Sequence, residues 1–265
     1  MTESEYRQKD GISRSELWKM MESPEKFKWY QENPAPMTPT FIFGAAAHKL
    51  MLDSETWGEE FAVAPIIDRR TKEGKSQYAE WLDKVVGREI ISAEDYETIQ
   101  DMVSVAMGIS FVEKLLAGEK ETPLFWTDEL TGEPCKARLD CVTMVADKPV
   151  IVDYKTTNDA STDGFMRSAI KYGYDFQAAM YSEAYKANFG IVPTFVFIAQ
   201  EKTAPYSVNI LQADDVFVKR GYDIFRQLIG TYHDCKQSGN WWGYLGPYNV
   251  INNLALPAWL AKEIE

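Results

Sequence analysis

The sequence predicts an α/β fold, a central mixed sheet flanked by helices and preceded by a helical N-terminal portion. Three observations lead there. Residues 38–53 and 92–116 read with helical period and open on capping residues. Between residues 122 and 155 the period changes to two, in three segments separated by turn residues. Helical and strand patterns then alternate as far as residue 236, the order of an α/β chain.

Taken in order, Ser13-Arg14-Ser15-Glu16 is a capping box that opens a short helix through Met21. Ser23-Pro24 starts a second helix, with proline at its first position. Prolines at 34 and 36 force a loop before the helix over 38–53, in which the small run Gly44 to Ala47 permits close packing. A short strand is expected at 61–64, a charged loop with Arg69, Arg70, Lys72 and Lys75 at 68–76, and an amphipathic helix at 77–86. Ser92 caps one long helix to about Leu116, ended by Gly118. Strands follow at 122–130, 136–145 and 150–155, joined by Thr131-Gly132-Glu133-Pro134 and by a turn around Asp147-Lys148. Helices at 164–171 and 175–189, strands at 194–200 and 206–211, and a long helix at 213–236 complete the pattern. The tail from Trp241 is rich in Trp, Tyr and Asn and reads as irregular before a last short helix. No repeat or low-complexity segment divides the chain. One domain over 1–265 is expected, with an N-terminal helical segment (1–37), a core (38–211) and a C-terminal helix and tail (212–265).

Composition narrows the function classes. No stretch approaches the roughly 20 apolar residues of a membrane span. Residues 1–19 lack the apolar core of a signal peptide. Cys135, Cys141 and Cys235 form neither a disulfide framework nor a metal-ligand spacing. A reduced, cytoplasmic protein without a membrane partner is expected, with Cys135 and Cys141 packing from one strand. The net charge of −12 excludes a uniformly basic surface. It leaves room for a local basic track beside a cluster of acids.

The chemistry-bearing stretch is Val150-Ile151-Val152-Asp153-Tyr154-Lys155. Alternate strand residues share a face, so Asp153 and Lys155 project together, about 7 Å apart along the strand. A turn at residues 146–149 folds Asp140 back beside Asp153. Two acids and a lysine at one sheet end can hold a divalent cation and activate a water for phosphodiester hydrolysis. Taken alone, an Asp-x-Lys triplet usually marks a solvated strand face.

The order of helix, three antiparallel strands, helix and strand, with Asp140 on the second strand and Asp153-x-Lys155 on the third, resembles the PD-(D/E)xK nuclease core over residues 38–211. Gly44-Ala45-Ala46-Ala47-His48 looks like the upstream histidine helix of the RecB-like subgroup, and Gln177-Ala178-Ala179-Met180-Tyr181 like its Q-x-x-x-Y helix. Within that subgroup the layout is most similar to the RecE-type exonuclease domain of phages and prophages. The resemblance implies that Asp140, Asp153, the main-chain carbonyl of Tyr154 and His48 hold Mg²⁺, with Mn²⁺ as substitute. It implies that Lys155 positions the attacking water and stabilises charge at the phosphate, and that Gln177 and Tyr181 buttress the site and contact DNA. Glu121 and Glu129 are nearby acids without diagnostic spacing. Some members of the subgroup carry four cysteines for an iron–sulfur cluster; with three cysteines here and no C-x-x-C pair, none is expected.

The resemblance implies exonucleolytic digestion of linear duplex DNA, and the lack of a G-x-x-x-x-G-K-[ST] loop makes ATP independence the expectation. Polarity from 5′ to 3′, a RecT-like single-strand annealing partner and a bacterial host cell follow from the resemblance; a homo-oligomeric ring is expected because a chain of net charge −12 without a motor needs a closed assembly to retain DNA. Arg69, Arg70, Lys72 and Lys75 are candidates to line such a ring. Two other classes stay open: a PD-(D/E)xK endonuclease and a non-catalytic DNA-binding module of the same fold.

Overall fold

The computed structural model describes residues 1, 3–34 and 36–256. The chain opens with α1 (Glu3–Gln8), β1 (Ile12–Ser13) and α2 (Arg14–Trp18), which runs on in a 3₁₀ turn (Lys19–Met21). Then come α3 (Pro24–Glu32), α4 (Pro39–Leu52), α5 (Trp57–Glu60), β2 (Phe61–Val63), α6 (Lys72–Lys84), β3 (Glu89–Ile91), α7 (Ala93–Met107) and α8 (Ser110–Leu115). The sheet region follows as β4 (Glu119–Thr127), β5 (Pro134–Val145), β6 (Lys148–Thr157), α9 (Thr162–Tyr172), α10 (Tyr174–Phe189), β7 (Thr194–Glu201) and β8 (Val208–Gln212). The described elements end with α11 (Asp215–Ser238).

The main sheet is mixed, in the order β1-β5-β6-β7-β8 with β4 also paired to β5; β2 and β3 form a separate parallel pair. The β5–β6 hairpin turns on Ala146 and Asp147, both at positive φ, as a two-residue hairpin turn requires. β6 and β7 are parallel, so α9 and α10 make the crossover between them. On one face, Val150, Val152 and Tyr154 of β6 and Val196 and Ile198 of β7 pack against Met51 and Leu52 of α4 and against α8. On the other, Ile151, Phe195 and Phe197 pack against α9 and α10. The N-terminal helices and α11 cover α10 through Leu17, Phe27, Phe176 and Phe225.

Several details differ from the sequence reading, the unexpected short helices α1 and α5 among them. Helix α6 begins at Lys72, because the Thr71 hydroxyl accepts the Gly74 amide at 2.9 Å as an N-cap. Lys72 and Lys75 are therefore helical, and only Arg69 and Arg70 of the basic set lie in the loop. Gly74 reads as a loop signal in sequence but serves packing: a Cβ there would stand 2.1 Å from the Asp68 carbonyl. The segment 92–116 is two helices, α7 and α8. Ile109 is extended between them, which swings Val112, Leu115 and Leu116 onto the sheet. β1 and β3, two and three residues long, are too short to show a period. The closing helix expected in the tail lies outside the described residues. Cys135 and Cys141 are both buried on β5, as expected.

Candidate functional site

The site forms where β5 and β6 part. Their ladder runs from Val145↔Lys148 to Cys141↔Val152 and stops there. One step further stand Asp140 and Asp153. Instead of a ladder partner, the Tyr154 amide finds the Asp140 side chain, donating to Oδ2 at 2.9 Å. Opposite Asp140, Glu121 on β4 takes a positive φ of 52°, a left-handed turn in the strand that a glutamate rarely adopts. Beyond the parting, β5 takes β1 as a parallel partner at Cys135 and Lys136.

Each predicted residue can be placed. His48, on α4, sets Nε2 2.9 Å from Asp140 Oδ2 and Nδ1 3.8 Å from Glu121 Oε1. Glu121 also pairs with Arg138 at 2.7 Å. Gly44, one turn before His48, stands over Thr156 of β6; a Cβ there would lie 3.6 Å from Oγ1. On the other face of β6, Asp153 is fully buried. Its Oδ2 accepts from the Gln177 side-chain amide, and its Oδ1 lies against the Lys155 ammonium. The Lys155 ammonium is thus the partner of this buried oxygen. Lys155 Nζ also lies 5.2 Å from the centre of the Tyr174 ring. Gln177 and Tyr181 both belong to α10, and Tyr181 feels the charges of Asp153 and Asp140. The Tyr154 side chain turns away from Asp153, its ring 6.5 Å from that of His48 and its hydroxyl donating to buried Gln200 at 2.7 Å. Glu129 is exposed in the β4–β5 turn, at the far end of β4 from Glu121, and does not join.

The electrostatics follow from burying opposite charges together. Burial, with the Asp140 charge, pushes the Asp153 carboxyl up to about 6, against the pull of Lys155. Burial also disfavours the Asp140 carboxylate, but His48, Lys155 and the Tyr154 amide outweigh it and hold its pKa below the usual value. For His48 and Lys155 burial acts downward, yet the neighbouring carboxylates prevail and both pKa values rise. Burial raises Glu121, with His48 and Arg138 opposing. The two carboxylates thus favour the charged form of Lys155 over the neutral amine.

Sequence reasoning passed over Tyr174, Arg138 and Arg14, and named Glu121 without a role. Only the pairing of β4 with β5, Lys120↔Cys141 and Thr122↔Leu139 on either side, sets Glu121 across from Asp140. No three His, Cys, Asp or Glu side chains among the described residues are gathered as a ready metal cage; the donors are paired with one another and with Lys155, Gln177 and Arg138. The donor set nevertheless suits a hard divalent cation. It is rich in carboxylate oxygen, from Asp140, Asp153 and Glu121, with one imidazole from His48. Two cavities, of about 520 and 210 Å³, lie elsewhere, one between α10, α11 and β7 and one beside α9 and β8.

A search of curated proteins gives no match. Among solved structures, a presumed exonuclease from Eubacterium rectale is similar with a TM-score of 0.64 at 14% identity, covering 99% of this chain and 97% of its own. A structure named SSO0001 covers 72% of this chain and 85% of its own at 13% identity, and its TM-score of 0.32 supports no conclusion. The first likeness establishes shared fold, and the decisive finding is a family match over residues 13–253 that takes in every site residue described above. The chain belongs to the family described as a PDDEXK-like domain of unknown function, DUF3799.

Proposed function

We propose that this protein is a divalent-metal-dependent exonuclease acting on the ends of linear double-stranded DNA. The observation that carries the reading is the pair Asp140 and Asp153 at the parting of β5 and β6, with Lys155 against Asp153. Asp140, Asp153 and the Tyr154 carbonyl would hold Mg²⁺ or Mn²⁺, with His48 completing or flanking the shell. When bound, the ion supplies Lewis acidity at the phosphate and a more acidic water. The chain's own groups do the rest. Lys155, kept protonated, offsets charge building on the phosphate oxygens. Gln177 fixes the Asp153 carboxylate by its amide. His48, with Glu121 at its other ring nitrogen, holds Asp140 from the opposite side.

Support for end-directed cleavage comes from the likeness to the presumed exonuclease and from the RecE-like motif order. Polarity from 5′ to 3′, a ring of subunits lined by Arg69, Arg70, Lys72 and Lys75, a RecT-like annealing partner and a role in recombination belong to the same proposal. Arg69 already stacks over the Tyr78 ring at 4.7 Å, an arrangement of cation and aromatic ring that suits nucleic acid. The test pairs light scattering for mass with digestion of linear duplex labelled at either end, beside a covalently closed circle. Mg²⁺-dependent loss of 5′ label with the circle intact is expected. Cutting of the circle would make the protein an endonuclease, and no cutting under any divalent metal would leave a non-catalytic module.

A further inference from the structure

Arg14 plays no part in the chemistry above, yet it sits at the inner end of the site. We propose that Arg14 is a positioning residue that sets the Gln177 amide on Asp153 by fixing the first turn of α10. The consequence for turnover rests on the nuclease reading; the geometric claim does not.

The placement begins in the sequence. β1 lies on the edge of β5 that β6 has left, pairing at Cys135 and Lys136. Ser13 ends that strand and caps α2 in a complete capping box with Glu16, so the first helical residue, Arg14, has a fixed exit direction. Its guanidinium stands over the rings of Trp18 and Phe176, at 5.5 and 5.9 Å from their centres, the planar stacking that arginine makes and lysine does not. Nη2 then donates to two carbonyls in succession, Tyr172 and, at 2.8 Å, Gly173.

Gly173 links Arg14 to Gln177. It caps α10 in the left-handed region, φ 66°, without any side-chain cap. A Cβ there would meet the Trp18 ring at 2.4 Å, so Trp18 and Arg14 grip it together. The same Gly173 carbonyl accepts the backbone amide of Gln177 at 3.0 Å. Gln177 in turn donates its side-chain amide to Asp153 Oδ2. A continuous run of contacts therefore leads from Arg14 through one carbonyl and one glutamine to the buried carboxylate.

The test reads the glutamine directly. In ¹⁵N-labelled protein without metal, hydrogen exchange of the Gln177 side-chain amide is followed by NMR in the wild type, Arg14→Lys, Arg14→Gln and Trp18→Phe. Exchange is expected to quicken by about tenfold in both Arg14 variants and by less in Trp18→Phe, which keeps the charge and only loosens the grip on Gly173. In the wild type that cleaves DNA, the Arg14 variants should lose about tenfold in kcat with KM for DNA unchanged. Combining Arg14→Lys with Gln177→Ala should cost no more than Gln177→Ala alone, because the two act in one line. Unchanged exchange in Arg14→Lys, a loss confined to KM, or additive losses would overturn the proposal. Should an Arg14 variant not fold, Trp18→Phe decides by the same exchange measurement. A wild type that cleaves no DNA refutes the nuclease reading and leaves the exchange result to decide the role of Arg14.

Discussion

His48 Nε2 lies 2.9 Å from Asp140 Oδ2, and the same oxygen accepts the Tyr154 amide at 2.9 Å. One carboxylate thus joins α4 to the backbone of β6 at the point where β5 and β6 separate. If His48 is a metal-site residue, His48→Ala should weaken Mn²⁺ binding by about tenfold or more and cut cleavage in proportion, while the melting temperature changes little. A lower melting temperature with unaltered Mn²⁺ titration would make it a packing residue.

Asp153 gives the fold a pH dependence. Its carboxyl is buried and pushed up to about 6 in the folded protein, above the roughly 3.9 of an unfolded chain. An acid whose pKa rises on folding favours the native state below its unfolded pKa, and that contribution is lost as pH rises through the folded value. Asp153→Asn removes this dependence and also leaves the buried Lys155 without its ion-pair partner. In EDTA, the melting temperature of the wild type relative to Asp153→Asn should therefore fall as pH rises from about 4 to about 6.5. A difference that stays constant across that range would show that the fold does not raise the Asp153 carboxyl.

A second pair of buried acids predicts the opposite pH response. Asp128 and Glu133, at the β4–β5 turn, are 4% and 3% exposed. Asp128 pairs with Arg226, and Glu133 with Lys236 at 2.6 Å and His233 at 2.9 Å, all on α11. Burial works against both carboxylates, but these partners hold their pKa values below the usual range. Their contribution is complete above the unfolded carboxylate values and lost as pH falls through the lower folded ones. Asp128→Asn leaves Arg226 without its partner and should cost about 3 kcal/mol at neutral pH. Calorimetric melts across the acid range check this; a neutral substitution would show that α11 is held by its apolar face alone.

Contact between α10 and α11 supplies a packing prediction. Gly221 of α11 touches the backbone of α10 so closely that a Cβ would stand 1.9 Å from the Asp175 carbonyl. Gly221→Ala should destabilise by about 2–3 kcal/mol, since backbone must shift to admit it. Urea titration gives the value, and a loss under about 0.5 kcal/mol would show that the helices can slide apart without penalty.

Much of this was legible in the sequence for identifiable reasons. Val150 to Lys155 alternates along a buried strand, and the short connection to the Asp140 strand fixes which residues face each other. The spacing of Gln177 and Tyr181 survives as a helix face because helix geometry is local. What could not be read depends on contacts between distant segments. Arg14 reaches the site through a two-residue strand with no period of its own, and Glu121 through a left-handed residue that side-chain pattern does not signal. Gly74 misled because glycine marks a loop and a close helix contact with the same letter. The Asp128 and Glu133 clasp looked like an ordinary charged turn, since its cations lie about a hundred residues further along the chain.

The central claim is that Asp140, Asp153 and Lys155 form a metal-dependent phosphodiesterase centre. The most direct measurement is release of nucleotides from end-labelled linear duplex by the wild type and by Asp153→Ala, each with Mg²⁺ and with EDTA, the fold of the variant confirmed by circular dichroism. The account predicts cleavage by the wild type with Mg²⁺ alone and none by the folded variant. Full Mg²⁺-dependent cleavage by Asp153→Ala would contradict it.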